Sequence, residues 1–184
     1  FIALTIYGGR EEAEAAIARV RRIHEHVTGT LPDGTPYRAG DPHLLAWVHA
    51  TETTSFLGAW VRYGEPGMSA ADCDRYFAEM ARLGEALGAD PVPRSQAEAR
   101  RILDMFRPEL RVDHRTREVA GLVLNAPPPK PLAAPLQRMT MAAAIDLLPD
   151  WARRLHALPS PAPLAPLVRA GTLGVAQTLR WAFA

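Results

Sequence analysis

Apolar residues that recur at helical spacing, between residues that start and stop helices, constrain this chain more than any other feature. Alternating strand-like runs are scarce, whereas spacings of three and four residues run through most of the sequence. Ser69 precedes one such run and Gly88 follows it, as an N-cap and a C-terminal stop commonly do. The pattern predicts an all-α fold, a single bundle of six or seven helices without an internal repeat.

The start and stop signals place the helices along the chain. Residues 30–40 contain the turn residues Pro32, Asp33 and Gly34, so we predict a loop there. The predicted helices cover residues 11–28, 41–63, 70–87, 95–106, 114–125, 136–157 and 164–183.

Proline positions indicate how the helices are connected. Five of the 17 prolines fall within 127–135 and four within 159–166, where they form crossovers rather than helix interiors. A chain of 184 residues suits one domain, so we predict a single helical domain over 1–184. The chain opens on the apolar run Phe1–Leu4 without a methionine, and we expect it to be N-terminally incomplete. An uncovered apolar face over 132–148 would then favour self-association.

The composition excludes several classes of protein. The formal charge is +1, from 21 basic and 20 acidic residues, and this balance argues against nucleic acid or an anionic membrane as a partner. Cys73 is the only cysteine, which excludes an internal disulfide and fits a reducing compartment. No run of about 18 apolar residues is present, so we expect no membrane-spanning segment and a cytoplasmic protein.

Standard catalytic motifs are missing from the sequence. It contains no glycine-rich phosphate loop, no Gly-x-Ser-x-Gly turn and no His-Glu-x-x-His pair. Arg75 and Glu79 are spaced for an ion pair on a helix surface. Candidate functional residues must therefore be sought among the histidines.

His24 lies on the apolar face of the first long predicted helix. An imidazole in such a place is either a core residue with satisfied hydrogen bonds or an axial ligand of a haem iron. The residues that share this face are Ile17, Val20 and Val27.

His49 lies on the predicted buried face of the 41–63 helix, with Glu52 one turn further on the same side. Glu52 either orients the imidazole, as carboxylates do around metal-binding histidines, or forms with it a buried polar pair. The predicted buried face consists of Leu45, Val48, His49, Glu52, Phe56, Ala59 and Trp60.

Several motifs, in order along the chain, resemble one family of bacterial and fungal proteins. This is the oxygenase family named for MpaB, to which the latex-clearing rubber oxygenases are related. The resemblance is specific over about residues 1–108 and looser beyond, through Leu148, Pro149 and Trp151. The matching segments are Thr5–Gly9, Val20–His24 with Val27 and Gly29, Tyr37–Ala50, Ser55–Leu57, Tyr63–Gly64, Asp74–Glu79 and Pro93–Ser95.

The resemblance implies a globin-like helical domain that carries haem b. The family's iron ligand is a helix histidine after an arginine–threonine motif, which would precede Phe1. By order and spacing that ligand corresponds to His24, with His49 as the competitor. We expect His24 to bind the iron and His49 and Phe56 to line the haem pocket, with His49 in the catalytic role on the distal side.

The family also implies a reaction. Its rubber oxygenases cleave carbon–carbon double bonds with dioxygen, and MpaB-type proteins cleave an isoprenoid chain. We therefore expect a haem-dependent oxygenase that acts with dioxygen on a hydrophobic, isoprenoid small molecule. One alternative is a haem- or lipophile-binding helical protein without turnover, and another is a helical interaction module that has lost its cofactor.

Overall fold

The computed structural model describes residues 1–128, 130–159 and 165–183, and most of this part of the chain is helical. The all-α prediction is confirmed, with one small antiparallel sheet in which β1 (Thr28–Thr30) pairs with β2 (Pro36–Arg38). The helices are α1 (Ile2–Tyr7), α2 (Arg10–His26), α3 (Pro42–Ala59), α4 (Ala70–Leu87), α5 (Gln96–Phe106), α6 (His114–Leu124), α7 (Ala134–Leu147), α8 (Asp150–Leu155) and α9 (Ala165–Phe183). A π-helical turn (Trp60–Gly64) continues α3, and a 3-10 turn (Pro131–Ala133) precedes α7.

Local capping explains several helix boundaries. The side chains of Ser69, Ser95 and Asp113 accept hydrogen bonds from backbone N–H groups in the first turns of α4, α5 and α6. These bonds satisfy donors that a helix start otherwise leaves unpaired. Gly88 ends α4 in a left-handed conformation with φ of 95°, which glycine adopts without a steric penalty.

The chain divides into two compact units. Unit 1 consists of Phe1–Leu57 and Met68–Pro108, and unit 2 consists of Gly58–Gly67 and Glu109–Ala184. Single-domain organisation stays a prediction. The Pro-rich crossovers fall in unit 2, where Pro129 and residues 160–164 lie outside the described residues.

The core of unit 1 forms where α3 packs on α5. Ala46 and Ala50 of α3 are fully buried against Ile102 and Phe106 of α5, with the ring of Trp47 5.4 Å from that of Phe106. The residues of α3 that are buried are Leu45, Ala46, His49, Ala50, Thr53 and Leu57.

The prediction of which residues of α3 are buried was partly wrong. Leu45 and His49 are buried as expected, but Val48, Phe56 and Trp60 are exposed. The buried face is rotated toward Ala46 and Ala50, which pack against Ile102 and Phe106 of α5. Val27, which directly follows α2, is likewise exposed, whereas Ile17, Val20 and His24 of α2 are partly buried.

The predicted number and extent of helices also need correction. Nine α-helices occur within the described residues rather than six or seven, because α1 was not predicted and the 136–157 helix is divided. Leu148 before Pro149 has an extended conformation, with ψ of 140°, because a residue that precedes proline disfavours the helical region. The predicted loop 30–40 contains most of the short sheet.

In unit 2, α9 packs against α7 and against the π-helical turn. Gly171 of α9 allows this approach, since a Cβ atom there would lie 2.7 Å from the sulfur of Met139. The face predicted to be apolar and uncovered over 132–148 is partly exposed. Leu132 is 93% exposed and Leu136 is 48% exposed.

Candidate functional site

His49 is buried where α3 meets α4. Its residue is 5% exposed, and a Cβ atom at Gly84 of α4 would lie 2.8 Å from the His49 Cδ2 and Nε2 atoms. The same Cβ would lie 2.8 Å from a methyl carbon of Val92. Glycine at position 84 therefore gives the imidazole room, and the ring packs directly beside the α4 backbone.

The His49 imidazole is neutral and its Nε2 atom has no hydrogen-bond partner. Burial lowers the pKa of His49 below its ordinary value of 6.5, because the charged form loses its hydration. Nε2 is inaccessible to solvent and unpaired. Buried polar atoms are nearly always hydrogen-bonded, so the unpaired Nε2 is an exception among them.

Glu52 and Tyr76 are two further polar residues of unit 1. Glu52 is half-buried, and burial raises the pKa of its carboxyl group. The Tyr76 hydroxyl is buried without a partner, and burial, followed by the charge of Glu52, raises its pKa to about 12. The carboxyl group of Glu52 thus acts electrostatically on Tyr76 of α4, whereas His49 Nε2 remains unpaired. Both interpretations of the His49–Glu52 spacing stay predictions.

Tyr76 was not predicted as a site residue. The sequence drew attention to a surface ion pair between Arg75 and Glu79, but the structure pairs Arg75 with Asp72, at 2.9 Å between Nη2 and Oδ1. Tyr76 lies one turn after the buried Cys73 and next to the buried Phe77, with the two rings 5.6 Å apart. That helical spacing was the available signal for its burial.

His24 lies on α2 and is partly buried. Its Nδ1 atom is inaccessible to solvent and has no hydrogen-bond partner. Gly40 lies beside it, since a Cβ atom there would be 4.0 Å from the His24 Cβ. Two residues along the same helix, His26 is exposed and its Nδ1 lies 2.7 Å from the Arg22 carbonyl oxygen. The two histidines therefore differ in burial and in hydrogen bonding.

Four side-chain atoms form what we term the unpaired set of unit 1. Each is buried, and each lacks a hydrogen-bond partner in the structure. An unpaired buried polar group costs about 1–3 kcal/mol, so each of these atoms gains stability from a bound group that supplies its missing partner. The set consists of His24 Nδ1, His49 Nε2, Thr54 Oγ1 and Tyr76 Oη.

The remaining predicted site residue is Phe56. It lies two turns after His49 on α3 and is exposed. The structure thus brings His49 and Gly84 into contact and places Glu52 near Tyr76, whereas Phe56 lies at the edge of the buried face.

Other features limit the chemistry that unit 1 can perform. Among the described residues, no group of three His, Cys, Asp or Glu side chains could hold a metal ion. A cavity of about 240 Å³ is lined by Pro91, Val92, Glu98, Arg101 and Ile102, and none of these residues is a histidine. None of the helices in the described part of the chain has both the length and the apolar character to cross a bilayer.

Comparison with known proteins gives one match. A family model described as "ER-bound oxygenase mpaB/B'/Rubber oxygenase, catalytic domain" matches residues 1–181. No curated protein and no solved structure matches the chain. The family model covers all residues of the unpaired set.

Proposed function

Because the chain belongs to the mpaB/B' and rubber oxygenase catalytic-domain family, we propose that it is a haem b-dependent oxygenase. Its substrates would be dioxygen and a hydrophobic small molecule of the isoprenoid class. The observation that supports this proposal best is the pair of buried, unpaired imidazole nitrogens in unit 1. An apolar helix face that carries an uncharged imidazole is the environment in which proteins hold an axial haem ligand.

The donor chemistry of unit 1 fits a haem. An axial ligand must be a neutral imidazole with a nitrogen that no other group occupies, and both His24 and His49 have an unpaired ring nitrogen. When bound, haem supplies the one-electron and dioxygen chemistry that protein side chains lack. The protein then has to hold the group, exclude water and orient the substrate.

The crowding around His49 favours His24 as the iron ligand. Nε2 of His49 faces the backbone of Gly84, and Val92 crowds the same space. A metal at that nitrogen would require α4 or Val92 to move. At His24 the neighbouring glycine is Gly40, which lies beside the carbonyl oxygen and Cβ of the histidine rather than beside its ring.

His49 then has a different role, as a neutral group that positions ligands from the buried face of α3. It cannot serve as a positive charge near pH 7, because burial lowers its pKa. Tyr76 stays protonated and can donate one hydrogen bond to an oxygen atom of a bound molecule, since its pKa is about 12. Glu52, whose pKa is raised by burial, is suited to hold or release a proton within electrostatic range of that phenol.

A haem-reconstitution and oxygen-uptake experiment tests the proposal. The protein is supplied with hemin, and we expect a Soret band in its visible absorption spectrum. After reduction, oxygen uptake should rise when an isoprenoid hydrocarbon such as squalene is added, but not with a straight-chain alkane of similar length. A Soret band without substrate-dependent uptake would favour the haem-binding protein without turnover. Failure to bind hemin would contradict both interpretations.

A further inference from the structure

A buried carboxylate in unit 2 is held by arginine. The Asp146 side chain on α7 is 3% exposed, and Arg169 of α9 donates two hydrogen bonds to it. Nε to Oδ2 measures 2.7 Å and Nη2 to Oδ1 measures 2.9 Å. This bidentate geometry satisfies the carboxylate well and is the strongest form of such a pair.

A second arginine lies near the same carboxylate, so the group as a whole has a net positive charge. Nη1 of Arg62, in the π-helical turn, lies 3.7 Å from Asp146 Oδ2, beyond hydrogen-bond distance. The side chains of Arg62 and Arg169 are 43% and 47% exposed. Two guanidinium groups thus share one buried carboxylate, and both are accessible from solvent.

Arg153 leaves the net charge of Arg62, Asp146 and Arg169 unchanged, because its guanidinium group pairs with other partners. Its Nη1 donates to the backbone carbonyls of Ile145, Asp146 and Leu148, which end α7. Its Nη2 pairs with the carboxylate of Asp150. Arg153 therefore caps a helix, and the excess positive charge remains with Arg62 and Arg169.

A buried hydroxyl group belongs to the residue that follows Arg62. The Tyr63 hydroxyl is inaccessible to solvent and has no hydrogen-bond partner. Burial and the charge of Asp146 raise the pKa of Tyr63, while Arg62 and Arg169 lower it, so the phenol lies within electrostatic range of all three. Arg62 and Tyr63 are adjacent in the π-helical turn, a local geometry that is frequent at functional sites.

We propose that Arg62, Tyr63, Asp146 and Arg169, which we term the arginine node, bind an oxyanion, the carboxylate or phosphate group of a small molecule. Planar guanidinium groups match both kinds of group, and the Tyr63 hydroxyl can donate one further hydrogen bond. Asp146 is a positioning residue, because it holds Arg169 in place through the bidentate pair. The excess positive charge disfavours a cation. This binding site does not depend on the proposed oxygenase activity.

Anion binding to the full chain tests the proposal. Thermal unfolding is measured in sodium phosphate, sodium acetate and sodium chloride at equal ionic strength, and affinities follow from titration calorimetry. A molecule that binds only the folded state raises the melting temperature. We expect phosphate, acetate or both to stabilise the protein more than chloride does. Phosphate alone would assign a phosphate group, and acetate alone a carboxylate.

Three variants locate the binding. Arg62→Gln should weaken oxyanion binding about tenfold, as expected for one charge-assisted hydrogen bond. Tyr63→Phe, which removes a single oxygen atom, should weaken it by a smaller factor. Arg154→Gln removes the same charge from an exposed position on α8 and should leave the affinity unchanged.

Two results would overturn the proposal. One is that neither oxyanion stabilises the wild-type protein more than chloride does. The other is that Arg62→Gln and Arg154→Gln weaken binding equally, which would show a general charge effect. If Arg62→Gln does not fold, Tyr63→Phe decides, and unchanged affinity in that variant contradicts the proposed site.

Discussion

The two units hold different kinds of buried polar group. Unpaired buried hydroxyls occur in both, but in unit 1 the unpaired buried atoms include the ring nitrogens of His24 and His49. In unit 2 a buried carboxylate is paired with arginine through two short hydrogen bonds. A paired charge stabilises a fold only modestly but becomes very costly when one partner is removed. An unpaired neutral group costs free energy until a ligand supplies its partner.

The largest predicted effect is in unit 2, where Asp146→Ala breaks the buried pair. We expect the free energy of unfolding to fall by about 3 kcal/mol, the low end for such a change because both arginines reach solvent. Asp150→Ala is the matched control, since its pair with Arg153 has an exposed carboxylate and should contribute less than about 1 kcal/mol. Urea unfolding near pH 7 measures both. Equal, small losses would show that Asp146 is not a buried partner.

We also predict how the stability difference between wild type and Asp146→Ala depends on pH. Hydrogen bonds from Arg169 hold the pKa of Asp146 below its ordinary value of 3.8. A carboxyl group with a lowered pKa contributes stability above its unfolded pKa and loses it as the pH falls through its folded pKa. The difference between wild type and Asp146→Ala should therefore be constant above about pH 5 and shrink in stronger acid. A difference that grows in acid would contradict the pairing.

A smaller effect is predicted in unit 1, where Gly84→Ala places a methyl group against the His49 ring. The added carbon would lie 2.8 Å from two ring atoms and from Val92, so the core must shift. We expect a loss of about 2 kcal/mol in the free energy of unfolding. Gly58→Ala in α3 is the control, because nothing lies within 4 Å of its added carbon. There the better helix propensity of alanine should stabilise the protein by up to about 1 kcal/mol.

These differences also show what a sequence can and cannot predict here. The limits of α4 followed from Ser69 and Gly88 because capping is local chemistry. The buried face of α3 was misplaced because the position of Ala46 and Ala50 against α5 depends on a helix some 50 residues later. Contacts among Arg62, Asp146 and Arg169 join three distant segments, and no local spacing indicates them.

The sequence predicted the candidate site in unit 1 only in part. The sequence indicated His24 and His49 because each lies at helical spacing from apolar residues of its own predicted helix. Tyr76 was missed, since its role depends on the nearby charge of Glu52 from another helix. Phe56 is exposed because the buried face of α3 is rotated toward Ala46 and Ala50. The sequence of α3 alone does not indicate that rotation.

Protonation of His49 should have a further, smaller effect on the free energy of unfolding. Because burial lowers its folded pKa, the unfolded chain takes up a proton more readily, and stability should fall as the pH drops below 6.5. His49→Leu should lose this part of the pH dependence while it retains the apolar packing. Unfolding free energies between pH 5 and 8 measure it. An unchanged slope would show that His49 is not desolvated.

The smallest predicted effect comes from Tyr76→Phe. Removal of an unpaired buried hydroxyl should leave the free energy of unfolding within about 1 kcal/mol of wild type, with any change toward greater stability. In the ultraviolet absorption titration of the folded wild-type protein, the Tyr76 phenol should ionise only near pH 12. A large loss of stability in this variant would indicate that the hydroxyl has a protein partner.

Hemin titration of three histidine variants tests the central claim, that the unpaired set of unit 1 marks a haem site with His24 as the ligand. The variants are His24→Ala, His49→Ala and the exposed control His26→Ala, each with its fold checked by circular dichroism. We predict that His24→Ala loses the Soret band of the bound haem and recovers it when free imidazole is added, while the other two retain it. Normal haem content in His24→Ala together with its loss in His49→Ala would contradict the assignment.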